Sequence, residues 1–272
     1  DEINHWQYMS KKMFVPFNAE GVPLQFEGYE ELEVFDWEGY RSKYGDIQRL
    51  DRILDAEGKD PNRYQVGKQA DVLMLFYLFS TEELEEVFNH LNYDFGPGMV
   101  KKTIDYYLER TSHGSTLSRV TASWVLSRSQ REQSWDFFQD ALRSDISDIQ
   151  GGTTSEGIHL GAMAGTVDIV QRAYTGIEVR DDVLWLNPCL PDSLRGLNFG
   201  MRFRGGWIKL TINHQQMTVS FKRGWSEFVK IGHRGKVYSF YEGDSETFEL
   251  KERKELSSPK ELTIFEHVEA LH

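Results

Sequence analysis

Leu197-Asn198-Phe199-Gly200-Met201-Arg202-Phe203 places an apolar side chain at every second position, and Ile208-Lys209-Leu210-Thr211-Ile212 and Met217-Thr218-Val219-Ser220-Phe221 do so again. A period of two sends alternate side chains to one face of a pleated strand. Each run is short and ends at Gly or polar residues, as antiparallel strands joined by tight turns do. Working back toward the N-terminus, the period changes. Leu84, Val87, Phe88 and Leu91, and then Val120, Trp124 and Val125, recur at the spacing of one helix face. The change falls near residue 178, so the spacing predicts a helical domain over residues 1–177 and a β domain over 178–272. Beyond the strands, Lys251-Glu252-Arg253-Lys254-Glu255 reads as a solvated linker and Leu262-Thr263-Ile264-Phe265 as an edge strand.

Length and composition bound what such a chain does. With 272 residues, 39% of them hydrophobic, it has the length and the core-forming residues to fold. The formal net charge is −12, and no Lys/Arg cluster offers the counterion release that drives nucleic-acid binding. No nucleic-acid partner is expected. The longest apolar run, Val72 to Phe79, is far short of the roughly 18 residues that span a bilayer, so no membrane is expected either. Cys189 is the single cysteine and cannot form an internal disulfide, which fits a reducing, cytoplasmic setting. Asp1 to Trp6 lack both an initiator Met and the regions of a signal peptide, so the numbering is expected to begin inside a longer chain.

Gly and hydroxyl residues precede several apolar segments of the helical part at a near-regular interval. With Gln25, Lys68, His113 and His159 as markers, the steps are 43, 45 and 46 residues. A helix out, a helix back and two connections take about that many residues, as in helical hairpin repeats. Two of the marked places suit an anion. The first N–H groups of a helix are unpaired and carry the positive end of its dipole, so a Gly-Ser or Gly-Thr entry can hold phosphate oxygens. His113-Gly114-Ser115-Thr116-Leu117-Ser118 is one such entry, and Gly151 to Glu156, with His159 a turn further on, is the other. Ser115 and Thr154 read equally well as ordinary N-caps. Lys68-Gln69 suits sugar hydroxyls or a solvated helix start, and Asp71 a dipole partner or a ligand of Lys68. Phe26-Glu27-Gly28-Tyr29 and Phe35-Asp36-Trp37 suit either a stacked sugar or a core corner. No dinucleotide or phosphate-loop glycine motif, nucleophile turn or zinc spacing is present, so no metal or organic cofactor is expected.

Four segments together resemble the C-terminal half of glycoside hydrolase family 65. They are Gln25-Phe26-Glu27-Gly28-Tyr29, Lys68-Gln69-Ala70-Asp71-Val72-Leu73, Thr111 to Ser118, and Thr154-Ser155-Glu156-Gly157-Ile158-His159. The resemblance runs in order from about residue 9 to residue 222. It implies an α+β multidomain protein: part of an (α/α)6 barrel, a helical toroid, followed by an antiparallel β-sandwich. It also implies inverting phosphorolysis of an α-glucoside such as maltose, trehalose, kojibiose or nigerose, to β-glucose 1-phosphate and a free sugar. By that resemblance Lys68 and Gln69 bind the glucosyl unit, and His113, Gly114, Ser115 and His159 hold phosphate, with Ser118 and Thr154 beside them. Inorganic phosphate is then a co-substrate rather than a cofactor. Trehalose or kojibiose is the preferred disaccharide on overall likeness.

The departure from the family is equally informative. The family's general acid lies in an Asp-Glu-Tyr-like motif upstream of the Gln-Phe-Glu-Gly-Tyr segment, and Asp1-Glu2 does not reproduce it. No catalytic residue is therefore assigned within the chain. The general acid is expected upstream of residue 1, and the chain alone is expected to be inactive. The expected partners are disaccharide, phosphate, and either the N-terminal part of such an enzyme or a second copy of the chain. Two other readings stay open: a non-catalytic carbohydrate- or phosphate-binding protein, and a hydrolase of the same family using Glu27 or Glu156 with water.

Overall fold

The computed structural model describes residues 1–69, 71–149, 154–225 and 227–250. The charge run and the edge strand expected beyond residue 250 lie outside the described residues, as do Gly151, Gly152 and Thr153 of the second anion-site candidate. The chain divides into two compact units. Among the described residues, one holds Asp1–Val125 and the stretch from Arg143 to Ile158, and the other holds Leu126–Leu142 and the stretch 159–250, so nearly all of the helix Arg131–Arg143 clusters with the strands.

The first unit is helical. Its α-helices are α1 (Glu2–Ser10), α2 (Trp37–Tyr44), α3 (Leu50–Ala56), α4 (Met74–Leu78), α5 (Thr81–His90), α6 (Pro97–Leu108) and α7 (Thr116–Leu126, the last residue belonging to the second unit). The start of α5 shows why helices form where they do. Ser80 accepts from the Glu83 N–H and the Glu83 side chain accepts from the Ser80 N–H, a reciprocal capping box ahead of buried Leu84 and Phe88. The apolar run Val72 to Phe79 is more broken than its composition suggests. A 3-10 turn, Asp71–Leu73, leads into the five-residue α4, and Leu78 and Phe79 stay exposed. A small core of Phe35, Leu50 and Leu54 joins α2 to α3, with Trp37, Tyr40, Tyr64 and Val66 packed against it. Phe35 and Tyr29 are buried, whereas Phe26 is exposed, so each aromatic segment places only part of its rings in the core.

In the second unit, α8 (Arg131–Arg143) and α9 (Leu160–Asp168, continued as a π turn over Ile169–Ala173) accompany eight strands among the described residues. The strands are β1 (Glu178–Arg180), β2 (Val183–Trp185), β3 (Gly196–Phe203), β4 (Gly206–Asn213), β5 (Gln216–Gly224), β6 (Phe228–His233), β7 (Lys236–Tyr241) and β8 (Ser245–Glu249). They form two four-stranded sheets, ordered β1-β2-β6-β7 and β3-β4-β5-β8. The expected alternation holds: Ile208, Leu210 and Ile212, and Met217, Val219 and Phe221, are all buried. Phe248 of β8 packs against His233 of β6 and Tyr238 of β7, so the two sheets share apolar contacts. The expectation of an antiparallel sandwich needs one correction. β2 and β6 run parallel, Leu184 opposite Ile231, which the intervening β3–β5 meander makes possible by separating the two strands along the chain.

Candidate functional site

Two loops of the first unit meet through a short parallel bridge between Gly67 and Thr111. The Gly67 N–H donates to the Arg110 carbonyl, and the Ser112 N–H donates back to the Gly67 carbonyl, both at 2.8 Å. This pairing brings Lys68 beside His113 and Gly114, residues 45 positions apart in sequence. Gly114 is buried, and a Cβ there would collide with the Gln48 carbonyl oxygen and approach the Lys68 Cγ to 3.1 Å. Only glycine lets the loop come so close.

His113 takes a left-handed backbone conformation, φ 55°, unusual for a residue with a side chain. Its Nδ1 lies 2.9 Å from Ser118 Oγ, and its carbonyl accepts from the Arg119 guanidinium at 3.1 Å. The buried Arg119 also donates to Gln48 Oε1 at 2.6 Å, tying the loop to the α2–α3 connection. Burial, and then the charges of Arg119 and Arg41, pull the His113 imidazole down to a pKa of about 4. It is neutral at pH 7.

The Ser115 side chain does not cap α7. Among the described residues its hydroxyl makes no hydrogen bond, whereas the N-caps Asp36, Asp60 and Ser80 each accept one from their own helices. Ser115 is half-buried and follows Gly114 in the chain. Thr154 goes the other way: its N–H and its hydroxyl both donate to Asp148 Oδ1, at 3.2 and 3.0 Å. Lys68 and Gln69 are exposed, and Gln69 Nε2 donates to Asp71 Oδ1 at 3.3 Å, so Asp71 pairs with Gln69. His159, in the second unit, occupies the N-cap position of α9, and its carbonyl accepts from the Ala162 and Met163 N–H groups. Ser118 is buried against His113 and orients the imidazole. Glu27 is exposed. Among the described residues no group of three or more His, Cys, Asp or Glu is placed to hold a metal ion, and no helix is long and apolar enough to cross a membrane.

Reading the motifs one at a time missed Gln48 and Arg119. Neither belongs to a marked segment, and their role comes from contacts across 71 residues of chain. The one available signal was the arginine at position 119, set in the otherwise apolar and hydroxyl-rich stretch Leu117 to Val125.

Residues 1–168 match the glycosyl hydrolase family 65 central catalytic domain, and residues 177–240 match the C-terminal domain of the same family. The chain belongs to glycosyl hydrolase family 65. Among its relatives is an uncharacterized glycosyl hydrolase of Mycobacterium tuberculosis, 50% identical over 236 residues, a match covering 87% of this chain and 18% of the relative. The trehalose 6-phosphate phosphorylase of Lactococcus lactis is 39% identical, with 79% of this chain and 28% of that protein covered. A kojibiose phosphorylase of Halothermothrix orenii is 28% identical, with coverage of 81% and 26%. A solved structure from the human microbiome, provisionally named a kojibiose phosphorylase, superposes with a TM-score of 0.70 at 23% identity, covering 90% of this chain and 31% of that one, which shows a shared fold. The chain thus spans under a third of the length of these family 65 proteins, in their C-terminal portion.

Proposed function

We propose that this chain supplies the phosphate- and glucosyl-binding part of an inverting family 65 disaccharide phosphorylase. The supporting observation is the Lys68–Gly114–Ser115 cluster: a cation packed on a glycine too crowded for any side chain, next in the chain to a serine hydroxyl with no partner among the described residues. The backbone around Gly114 opens into the N-terminus of α7, where N–H groups and the helix dipole favour an anion. In this reading Gly114, Ser115 and the neutral His113 hold inorganic phosphate, and Lys68 and Gln69 hold the glucosyl unit. The same reading assigns His159 to phosphate on its place in the Thr154-to-His159 motif alone.

The chemistry follows from what an inverting enzyme needs. One phosphate oxygen attacks the anomeric carbon, the glycosidic C–O bond breaks with its electron pair, and the leaving oxygen takes a proton. A hydrolase needs a carboxylate base to activate water. Phosphate is already anionic, so an anion cradle that positions it can take the place of that base. The proton donor is assigned to polypeptide outside these 272 residues, and its absence costs roughly 10² to 10⁴ in rate. The chain alone is then a binding half, with upstream polypeptide or a second copy as partner. An α-glucoside of the trehalose or kojibiose type is the proposed substrate. The names of relatives support this, and the phosphorylase with the greater identity among those described is named for a phosphorylated disaccharide.

The test is to combine the chain with an N-terminal family 65 segment and assay disaccharide cleavage with and without phosphate. Phosphate-dependent release of glucose 1-phosphate is the expected result. Retained sugar and phosphate binding with no turnover would instead make the chain a binding protein, and phosphate-independent release of free glucose would make it a hydrolase.

A further inference from the structure

In the second unit, the outer face of the β3-β4-β5-β8 sheet carries a row of side chains with no structural partner. By strand register Trp207 of β4 stands opposite Arg202 of β3 on one side and Arg223 of β5 on the other, so the three cross the sheet in one line. All three are exposed, and none of the three side chains makes a hydrogen bond or ion pair among the described residues. The neighbouring rows satisfy themselves instead. Ser220 pairs with Ser245 and Thr218 with Thr247, each at 2.8 Å, and Thr211 donates to Asn198 at 3.4 Å. The Trp207 indole leans over Gly200 of β3, where a Cβ would stand 2.6 Å from Cζ2 and 2.9 Å from Cε2. The missing side chain lets the ring lean across the strand, with 42% of the residue still open to solvent. Trp225, 99% exposed, follows β5 at the same end, its N–H donating to the Gly205 carbonyl at 3.1 Å.

The charge of these strands is opposite to that of the chain. The formal net charge is −12, yet β3, β4 and β5 hold Arg202, Lys209, Lys222 and Arg223 and no Asp or Glu. Guanidinium, ammonium and indole N–H groups donate and do not accept, so the complementary ligand is acceptor-rich and anionic. The indole adds an apolar ring surface. Neighbouring strands lie about 4.8 Å apart, so each guanidinium stands one strand away from the indole. An anion reached at that separation is carried on the stacked ring itself. In a nucleotide a ribose holds the phosphate away from the base, whereas in a uronic acid the carboxylate is bonded directly to the sugar ring and its two oxygens match the guanidinium fork. We propose that this face binds a uronate-bearing sugar chain, one ring on Trp207 and carboxylates on Arg202 and Arg223. Trp225 gives a further sugar of the chain a second ring surface. The proposal uses no residue of the phosphorylase reading and does not depend on it.

Calorimetric titration of the 272-residue chain with trigalacturonate, maltotriose and a thymidine trinucleotide tests this. Trigalacturonate is expected to bind at least about tenfold more tightly than either of the others. Arg202 and Arg223 are exposed, so Arg202→Gln with Arg223→Gln should leave the thermal melt unchanged and weaken trigalacturonate at least about tenfold, while inorganic phosphate affinity stays within about twofold. Lysine at both positions keeps the charge without the fork and recovers part of the loss. Trp207→Phe, which keeps a ring over Gly200, should bind trigalacturonate more tightly than Trp207→Thr, which has none. Equal affinity for trigalacturonate and maltotriose overturns the proposal. So does unchanged trigalacturonate affinity in the double glutamine variant, equal binding by the two Trp207 variants, or a trinucleotide bound as tightly as trigalacturonate, which would reveal a face that reads charge alone.

Discussion

At the residue scale, the account turns on side chains whose structural duties are missing or already assigned. Ser115 Oγ has no partner to lose, so Ser115→Ala is expected to change stability by no more than about 0.5 kcal/mol. A hydrogen bond to a charged ligand is worth about 1.5–3 kcal/mol, so the same change should weaken inorganic phosphate binding roughly 10- to 100-fold. Calorimetry and a thermal melt on one sample check both halves. His113 makes a second prediction. Its folded pKa is about 4 against an ordinary 6.5, so between those values the unfolded chain takes up a proton that the folded chain refuses. The stability due to the neutral ring is complete above pH 6.5 and is lost as pH falls through about 4. A bound phosphate dianion offsets the fields of Arg119 and Arg41, and should raise the His113 pKa by about one to three units in an NMR titration. An unchanged value would place the anion elsewhere. Sequence showed that His113 and Ser115 sit at a helix entry. It did not show which hydroxyl was already spent, because the Asp148 carboxylate that occupies Thr154 belongs to no motif.

At the element scale, the site is made by loops that touch. The Gly67–Thr111 bridge and the Gly114–Gln48 approach bring together segments far apart in sequence, and Gly114 is the position where the approach leaves no room. Gly114→Ala should therefore cost about 1–3 kcal/mol through overpacking against backbone and also abolish phosphate affinity. Denaturant unfolding with parallel calorimetry would show both. Ser80 offers a control remote from any ligand: Ser80→Ala removes the capping box of α5, and about 1 kcal/mol of stability, with phosphate affinity unchanged. Period and caps made elements such as α5, α7, β4 and β5 legible, since their apolar faces are local patterns. The parallel β2–β6 pair was not legible, because nothing in residues 183–185 names residues 230–232 as their neighbour. The run Val72 to Phe79 was illegible for a related reason: continuous apolarity carries no period, and the chain there forms a 3-10 segment and a single short helix.

At the scale of the whole molecule, the first unit leaves apolar surface uncovered. Every residue of α1 is exposed, and Ile3, Trp6, Met9, Met13 and Phe14 are among the large side chains left to solvent. Clustered apolar exposure of this kind marks an interaction surface. Sedimentation of the 272-residue chain should therefore show self-association, reduced by Trp6→Ser together with Met13→Ser and suppressed by an added N-terminal family 65 segment. A strictly monomeric chain that ignores that segment would leave this surface without its proposed role. The chain matches the central catalytic and C-terminal domains of family 65 and spans under a third of these relatives' length. The most direct test is phosphorus NMR of the chain combined with that segment, incubated with trehalose, kojibiose or their phosphorylated forms and inorganic phosphate. The account predicts a β-glucose 1-phosphate signal that requires phosphate and falls at least tenfold in Ser115→Ala. Cleavage to free sugars that proceeds equally without phosphate, and is indifferent to Ser115, would contradict it.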